Sequence, residues 1–138
     1  MVHEKRIEVR WGDVDAYRHV NNAVYATYLE ECRDEWMIRA LGHIGDVWDY
    51  VLARVAMDFR NEILHEDDAV VVTCRLVRVG RSSLTLAEQI LKLDGTVAAD
   101  AESVLVARER VEGGRSRVLT DAERAAFEAV VTDRDSRL

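Results

Sequence analysis

Between Asn21 and Gly42 the apolar residues Tyr25, Tyr28, Leu29, Cys32, Trp36, Ala40 and Leu41 recur at spacings of three and four. That period belongs to one face of a helix, and Glu30, Glu31, Arg33, Asp34 and Glu35 take much of the remaining surface, as a solvated face or as charges for a subunit contact. Asn21 or Asn22 suits the N-cap and Gly42 the left-handed residue past the last turn, so the spacing predicts a helix of about eighteen residues. A stripe this long needs a cover. The rest of the chain offers strands to supply it.

From His3 to Trp11, Ile7, Val9 and Trp11 alternate with Arg6, Glu8 and Arg10, which predicts a first strand with one buried face. After the helix and a short connection from Gly42 to Trp48, Tyr50 to Phe59 sets Val51, Ala53, Val55, Met57 and Phe59 on one face of a second strand. Asn61 to Asp68 is polar and turn-like, and Ala69 to Val79 is rich in β-branched residues. Gly80-Arg81-Ser82 turns the chain, Leu84 to Leu93 alternates, Asp94-Gly95 signals a hairpin, and Thr96 to Arg110 reads as a long fifth strand. The last four strands are expected to form a meander. The chain has no proline, so its breaks come from Gly, Asn and Asp. Gly113-Gly114 closes the last strand, and Thr120-Asp121-Ala122-Glu123 has the form of a capping box ahead of Ala125, Ala126, Phe127, Val130 and Val131. A short final helix follows, and residues Thr132 to Leu138 are expected to fray. The order β-α-β-β-β-β-α argues for an α+β fold, with one long helix on a mostly antiparallel sheet and residues 1–138 forming a single domain.

Charge and composition remove several classes of function. Nineteen basic residues against twenty-six acidic ones give a net charge of −7 with no basic run, which argues against nucleic acid as a partner. No apolar run approaches a membrane span, and the first residues lack a secretory signal's apolar core, so the expectation is a cytoplasmic protein with no membrane partner. Cys32 and Cys74 both lie in apolar patterns outside any Cys-x-x-Cys pair, as reduced buried thiols do.

The chemistry is concentrated in the loop before the helix, Trp11-Gly12-Asp13-Val14-Asp15-Ala16-Tyr17-Arg18-His19-Val20-Asn21-Asn22. Strand-like spacing puts Asp13 and Asp15 on one side, where paired carboxylates can divide acid and base roles; the competing reading is that Asp13 caps a turn. His19 is an acid, base or orienting group, and the pattern has no further ligand that would make this loop a metal site. Asn21 and Asn22 stand where a helix leaves backbone N–H groups free, and such groups hold a developing oxyanion. The chain has no Gly-x-Ser-x-Gly elbow, phosphate loop or dinucleotide fingerprint, which leaves a carboxylate to attack directly or through water.

The run Arg10-Trp11-Gly12-Asp13-Val14-Asp15-Ala16, continued by His19-Val20-Asn21-Asn22-Ala23-Val24-Tyr25 and by Leu29-Glu30 with Arg33, resembles the 4-hydroxybenzoyl-CoA thioesterase family of hotdog-fold acyl-CoA thioesterases. Val79-Gly80-Arg81-Ser82-Ser83-Leu84 is similar to that family's turn between central strands. The resemblance implies a hotdog fold, in which a five-stranded sheet wraps one long helix, and hydrolysis of an acyl-CoA without metal or redox cofactor. It implies Asp15 as the catalytic carboxylate, His19 in support, and the Asn22 N–H polarising the thioester carbonyl. Tyr25, Arg81, Ser82 and Ser83 are the implied substrate-binding residues. Hotdog sites form between subunits, so a homodimer or homotetramer is expected; Tyr50–Phe59 and Ala69–Val79 are apolar enough to bury both faces at such an interface. Two readings stand beside this one: an acyl-carrier-protein thioesterase, and a binding module that keeps the pocket without catalysis. Tyr17 occupies a position where plant acyl-carrier-protein thioesterases carry Asn, and Arg18 one where many relatives carry Gly.

Overall fold

The computed structural model describes residues 1–131. Its elements are β1 (Val2–Glu8), α1 (Asn22–Leu41), β2 (Tyr50–Phe59), β3 (Ala69–Val79), β4 (Ser83–Lys92), β5 (Val97–Ala107) and α2 (Asp121–Glu128). Short 3-10 turns occupy Trp11–Asp13, Val47–Asp49 and His65–Asp67. The five strands form one sheet in the order β1-β3-β4-β5-β2, with every neighbouring pair antiparallel. The expected α+β hotdog arrangement of one long helix, a five-stranded sheet and a short C-terminal helix is the observed one. The fraying expected of residues 132–138 lies outside the described residues.

The helix runs for 20 residues, slightly longer than its pattern suggests. The Asn21 side chain accepts from the Ala23 N–H at 2.8 Å, which makes Asn21 the N-cap, and Gly42 ends the helix at φ +57°. Tyr25, Tyr28, Leu29, Cys32, Trp36 and Leu41 are buried against the sheet, whose core face carries Val70, Val72, Cys74, Leu76, Leu84, Leu86 and Ile90. At roughly 1.5–3 kcal/mol for each buried large apolar side chain, this contact is what holds the helix in place. Cys32 and Cys74 are buried free thiols, and burial pushes both up from the ordinary thiol range, Cys32 to about 12. The C-terminal helix is capped as its sequence predicts: Thr120 Oγ1 accepts from the Glu123 N–H at 3.1 Å and the Glu123 carboxylate accepts from the Thr120 N–H at 2.8 Å. It ends at Glu128, before Val130 and Val131.

Three expectations are corrected. First, β1 stops at Glu8, and Trp11 lies in the 3-10 turn with 80% of its surface exposed, because the Arg10 N–H leaves the strand pattern to bond the Asp13 carboxylate at 2.9 Å. Second, the meander covers only β3, β4 and β5; β2 crosses to the far edge and pairs with β5, from Tyr50 opposite Ala107 to Phe59 opposite Ala99. β5 itself ends at Ala107 rather than Arg110. Third, Arg33 is not on a solvated face; it is buried against Glu88 of β4. β3 lies inside the sheet between β1 and β4, whereas β2 lies at its edge with Val51, Leu52, Val55 and Phe59 exposed.

Candidate active site

The loop between β1 and α1 is held by its backbone into a small closed structure. Val14 bridges Val20, the Asp15 N–H donates to the His19 carbonyl at 3.1 Å, and the Arg18 N–H donates to the Asp15 carbonyl at 3.0 Å. Arg18 is thereby forced to φ +69°, a conformation in which a Cβ is crowded. The Val20 N–H continues the pattern onto the Ile63 carbonyl at 2.7 Å, and His19 bridges Leu64. The turn therefore leans on the segment that follows β2.

Asp13 and Asp15 do not share a face. The 3-10 turn draws Asp13 inward, where its Oδ2 accepts from the Tyr28 hydroxyl at 2.7 Å, the Arg10 N–H at 2.9 Å and Arg10 Nε at 3.3 Å. Burial opposes ionisation of Asp13, but the Tyr28 and Arg10 donors outweigh it and hold the carboxyl below the ordinary carboxylate range. The same pairing, together with burial, pushes the Tyr28 phenol up. Asp13 is the structural carboxylate of the pair, and Asp15 is the one facing solvent.

Asp15, Tyr17, His19, Asn21 and Asn22 line one open cleft of about 460 Å³. One Asp15 oxygen, Oδ1, accepts from the Tyr17 N–H at 2.9 Å; among the described residues the other has no hydrogen-bond donor. Tyr17 is 82% exposed, and its ring stacks with His19 at 6.1 Å between centroids and 17° between planes. His19 Nδ1 lies 3.4 Å from the Val20 carbonyl, and the side chain lines the cleft. At the helix start the Asn21 side chain takes the Ala23 N–H and the Asn21 carbonyl takes the Val24 N–H, while the Asn22 N–H has no acceptor among the described residues. The cleft thus combines a carboxylate oxygen, an imidazole and a free N–H at the positive end of a helix of 20 residues. Among the described residues no three His, Cys, Asp or Glu side chains gather as metal ligands, and no helix is long and apolar enough to cross a membrane.

The other implied residues lie elsewhere in the chain. Tyr25 is buried, with its hydroxyl on the Asn61 carbonyl at 3.2 Å and its ring edge-on to Phe59, and it does not line the cleft. Arg81, Ser82 and Ser83 turn between β3 and β4. Glu8, where β1 ends, pairs with Ala69, and the turn lies at the other end of β3, roughly 33 Å away at about 3.3 Å per residue. One chain does not bring these three residues to Asp15. Tyr28 is the site neighbour that the helical pattern hides, since it reads as one more member of the apolar stripe. The available signal is that a buried tyrosine hydroxyl needs a polar partner.

A long helix held against a five-stranded antiparallel sheet, with a carboxylate loop at its N-terminus, defines a hotdog-fold thioester hydrolase. The chain belongs to the thioesterase-like superfamily, whose family model matches residues 9–132. Among individual relatives, a long-chain acyl-CoA thioesterase of Escherichia coli, FadM, is 29% identical over 106 residues, covering 71% of this chain and 76% of its own. A Thermus thermophilus thioesterase, solved with coenzyme A and Zn, is 37% identical with a TM-score of 0.77 over 92% of each chain. A Bacillus stearothermophilus protein shares the fold at 24% identity, with a TM-score of 0.85 over 96% of this chain and 98% of its own.

Proposed function

We propose that this protein hydrolyses acyl-CoA thioesters, with the Asp15 carboxylate as the group that attacks the carbonyl carbon or activates the water that does. The observation that carries the reading is the pairing, in one cleft, of an unengaged Asp15 oxygen with the unengaged Asn22 N–H. A thioester carbonyl oriented on that N–H gains negative charge as the carbon is attacked, next to the positive end of the helix; one such donor is typically worth about 10²–10³ in rate. The tetrahedral centre then collapses, the carbon–sulfur bond breaks, and the CoA sulfur leaves as thiolate and takes a proton. With Asp15 as base, the carboxylate receives the proton of the attacking water. With Asp15 as nucleophile, a mixed anhydride forms and a second attack by water releases the acid. His19, which lines the cleft, supports the proton movements without carrying the attack.

Coenzyme A as the thiol carrier is favoured by the two relatives whose names specify it: the E. coli long-chain acyl-CoA thioesterase and the Thermus thioesterase bound to CoA. The free edge of β2 supports a homodimer, because antiparallel pairing of β2 with its own copy extends the sheet and covers Val51, Leu52, Val55 and Phe59. Such pairing carries the partner's Tyr50 end toward Phe59, on which Tyr25 packs. Within the partner, Tyr50 adjoins Ala107, and Ala107 bonds the Ser82 carbonyl. The Arg81–Ser83 turn then meets the CoA end of the substrate from the opposite subunit. Buried free thiols at Cys32 and Cys74 suit a reducing cytoplasm.

The test is free-thiol release by the purified protein across short, medium, long and aryl acyl-CoAs, with Asp15→Asn in parallel. Release that falls at least ~10²-fold in Asp15→Asn supports the reading. Acyl-CoA bound with no thiol released favours a binding module, and release only from acyl-carrier protein changes the substrate class.

A further inference from the structure

Asp13 is buried beside the cleft without lining it, yet its contacts join the two elements that carry the reacting groups. Its Oδ2 accepts from the Tyr28 hydroxyl at 2.7 Å, and Tyr28 lies wholly buried on α1. Its backbone carbonyl accepts the N–H of Asn21 at 2.9 Å, the residue directly before Asn22. Two positions along the chain from Asp13 stands Asp15. The local 3-10 turn is closed by the Asp13 N–H on the Arg10 carbonyl at 2.9 Å and capped by the Arg10 N–H on the Asp13 carboxylate; the bond to Tyr28 instead reaches across fifteen positions and fastens the loop to the body of the helix. Taking a carboxylate out of water is unfavourable unless donors engage it, and the three donors that converge on Oδ2 hold the orientation of Asp13.

We propose that Asp13 and Tyr28 are positioning residues for thioester hydrolysis: their hydrogen bond sets where the Asp15 carboxylate stands relative to the Asn22 N–H. The inference rests on the roles given above to Asp15 and Asn22. Neither positioning residue touches substrate. Their effect is on the alignment of two groups that do, and a displacement of about 1 Å in such an arrangement can cost 10²-fold in rate.

The experiment measures kcat and KM for Tyr28→Phe in the wild-type and Asp15→Asn backgrounds, at a temperature where circular dichroism shows each variant native. Tyr28→Phe is expected to lower kcat by about ten- to a hundredfold with KM within about twofold, since the loss is of alignment and not of substrate contact. In the Asp15→Asn background the same change is expected to lower the residual rate by less than about twofold, because the group it aligns is already gone. A Tyr28→Phe enzyme with wild-type kcat overturns the proposal, and so does an equal loss in both backgrounds, which marks a general loosening of the fold. If Tyr28→Phe does not fold, Asp13→Asn takes its place: it removes the charge that Tyr28 and Arg10 hold, and a full rate in that variant overturns the proposal equally. Wild-type activity in Asp15→Asn alone overturns the proposed function and this inference with it, and is read independently from that single variant.

Discussion

Arg33 and Glu88 form an ion pair inside the core, with Arg33 Nε 3.0 Å from Glu88 Oε2 and Nη2 3.2 Å from Oε1. The two side chains come from α1 and the core face of β4, and both are buried. Ser103 of β5 completes the group, accepting from Arg33 Nη2 at 3.0 Å and donating to Glu88. Three elements are thereby tied at one polar point in an otherwise apolar layer.

Breaking that pair is expected to cost far more than replacing it. Arg33→Met leaves the Glu88 carboxylate buried without its cation and should lower unfolding free energy by about 3–5 kcal/mol. Adding Glu88→Leu removes the orphaned charge and should recover most of the loss. Urea denaturation of the two variants checks this, and a double variant no more stable than Arg33→Met would show that the cost lies in packing rather than in the unpaired charge.

Glu123 supplies a pH dependence. Burial raises its pKa, but the Arg117 guanidinium, at 2.6 and 2.9 Å, and the Tyr50 hydroxyl outweigh this and bring it down to about 2. The folded pKa is below the unfolded one, so the contribution is present in full above about pH 4.5, and is lost as pH falls from there to about 2. The linked stabilisation is about 3 kcal/mol. Glu123→Gln should therefore be less stable at pH 7 and show a shallower loss of stability between pH 4.5 and 2 in acid titrations of the unfolding midpoint. Parallel acid curves for the two proteins would place the titration on other carboxylates.

Arg18 marks a strained point in the loop between β1 and α1 at φ +69°. A left-handed conformation costs a residue with a Cβ about 1–2 kcal/mol, and glycine returns about 0.5–1 kcal/mol of that as extra entropy in the unfolded chain. Arg18→Gly should stabilise by about 0.5–1 kcal/mol and raise the melting temperature by a few degrees, measured by calorimetry. An unchanged or lower melting temperature would mean that the arginine side chain offsets its own strain.

Elements set by local chemistry were the ones legible in the sequence. Asn21, Gly42 and the Thr120–Glu123 box mark helix ends because each acts within a few residues, and Tyr50–Phe59 and Ala69–Val79 match their strands to the residue. Asp15, His19 and Asn22 could be grouped because one short loop carries all three. What the pattern concealed was distant in the chain. Alternation cannot say that β2 crosses to pair with β5, because either neighbour satisfies a period of two. Nor does a helical period separate Arg33 on the core side from the exposed charges around it, since only the buried Glu88 brought opposite by β4 makes that position tolerable. Trp11 continued an apolar alternation that ended when Asp13 captured the Arg10 N–H.

The exposed edge of β2 yields the last prediction. Val55 and Leu52 lie on that strand, partly exposed to solvent, and neither contributes to the buried core of a single chain. If β2 pairs with its copy about a two-fold axis, a charge placed there meets its own image across the new strand pair, and like charges facing one another oppose pairing. Val55→Glu should therefore fold as the wild type does while sedimenting at half the native mass. Its acyl-CoA hydrolysis should fall by at least about tenfold, because the Arg81–Ser83 turn, at the end of β3 opposite the one where β1 leads into the Asp15 loop, then no longer reaches the substrate. Analytical ultracentrifugation and thiol release on the same preparation give both readings. A monomeric Val55→Glu with full activity would show that the cleft around Asp15 binds its substrate without a second subunit, and would remove Arg81, Ser82 and Ser83 from the binding site.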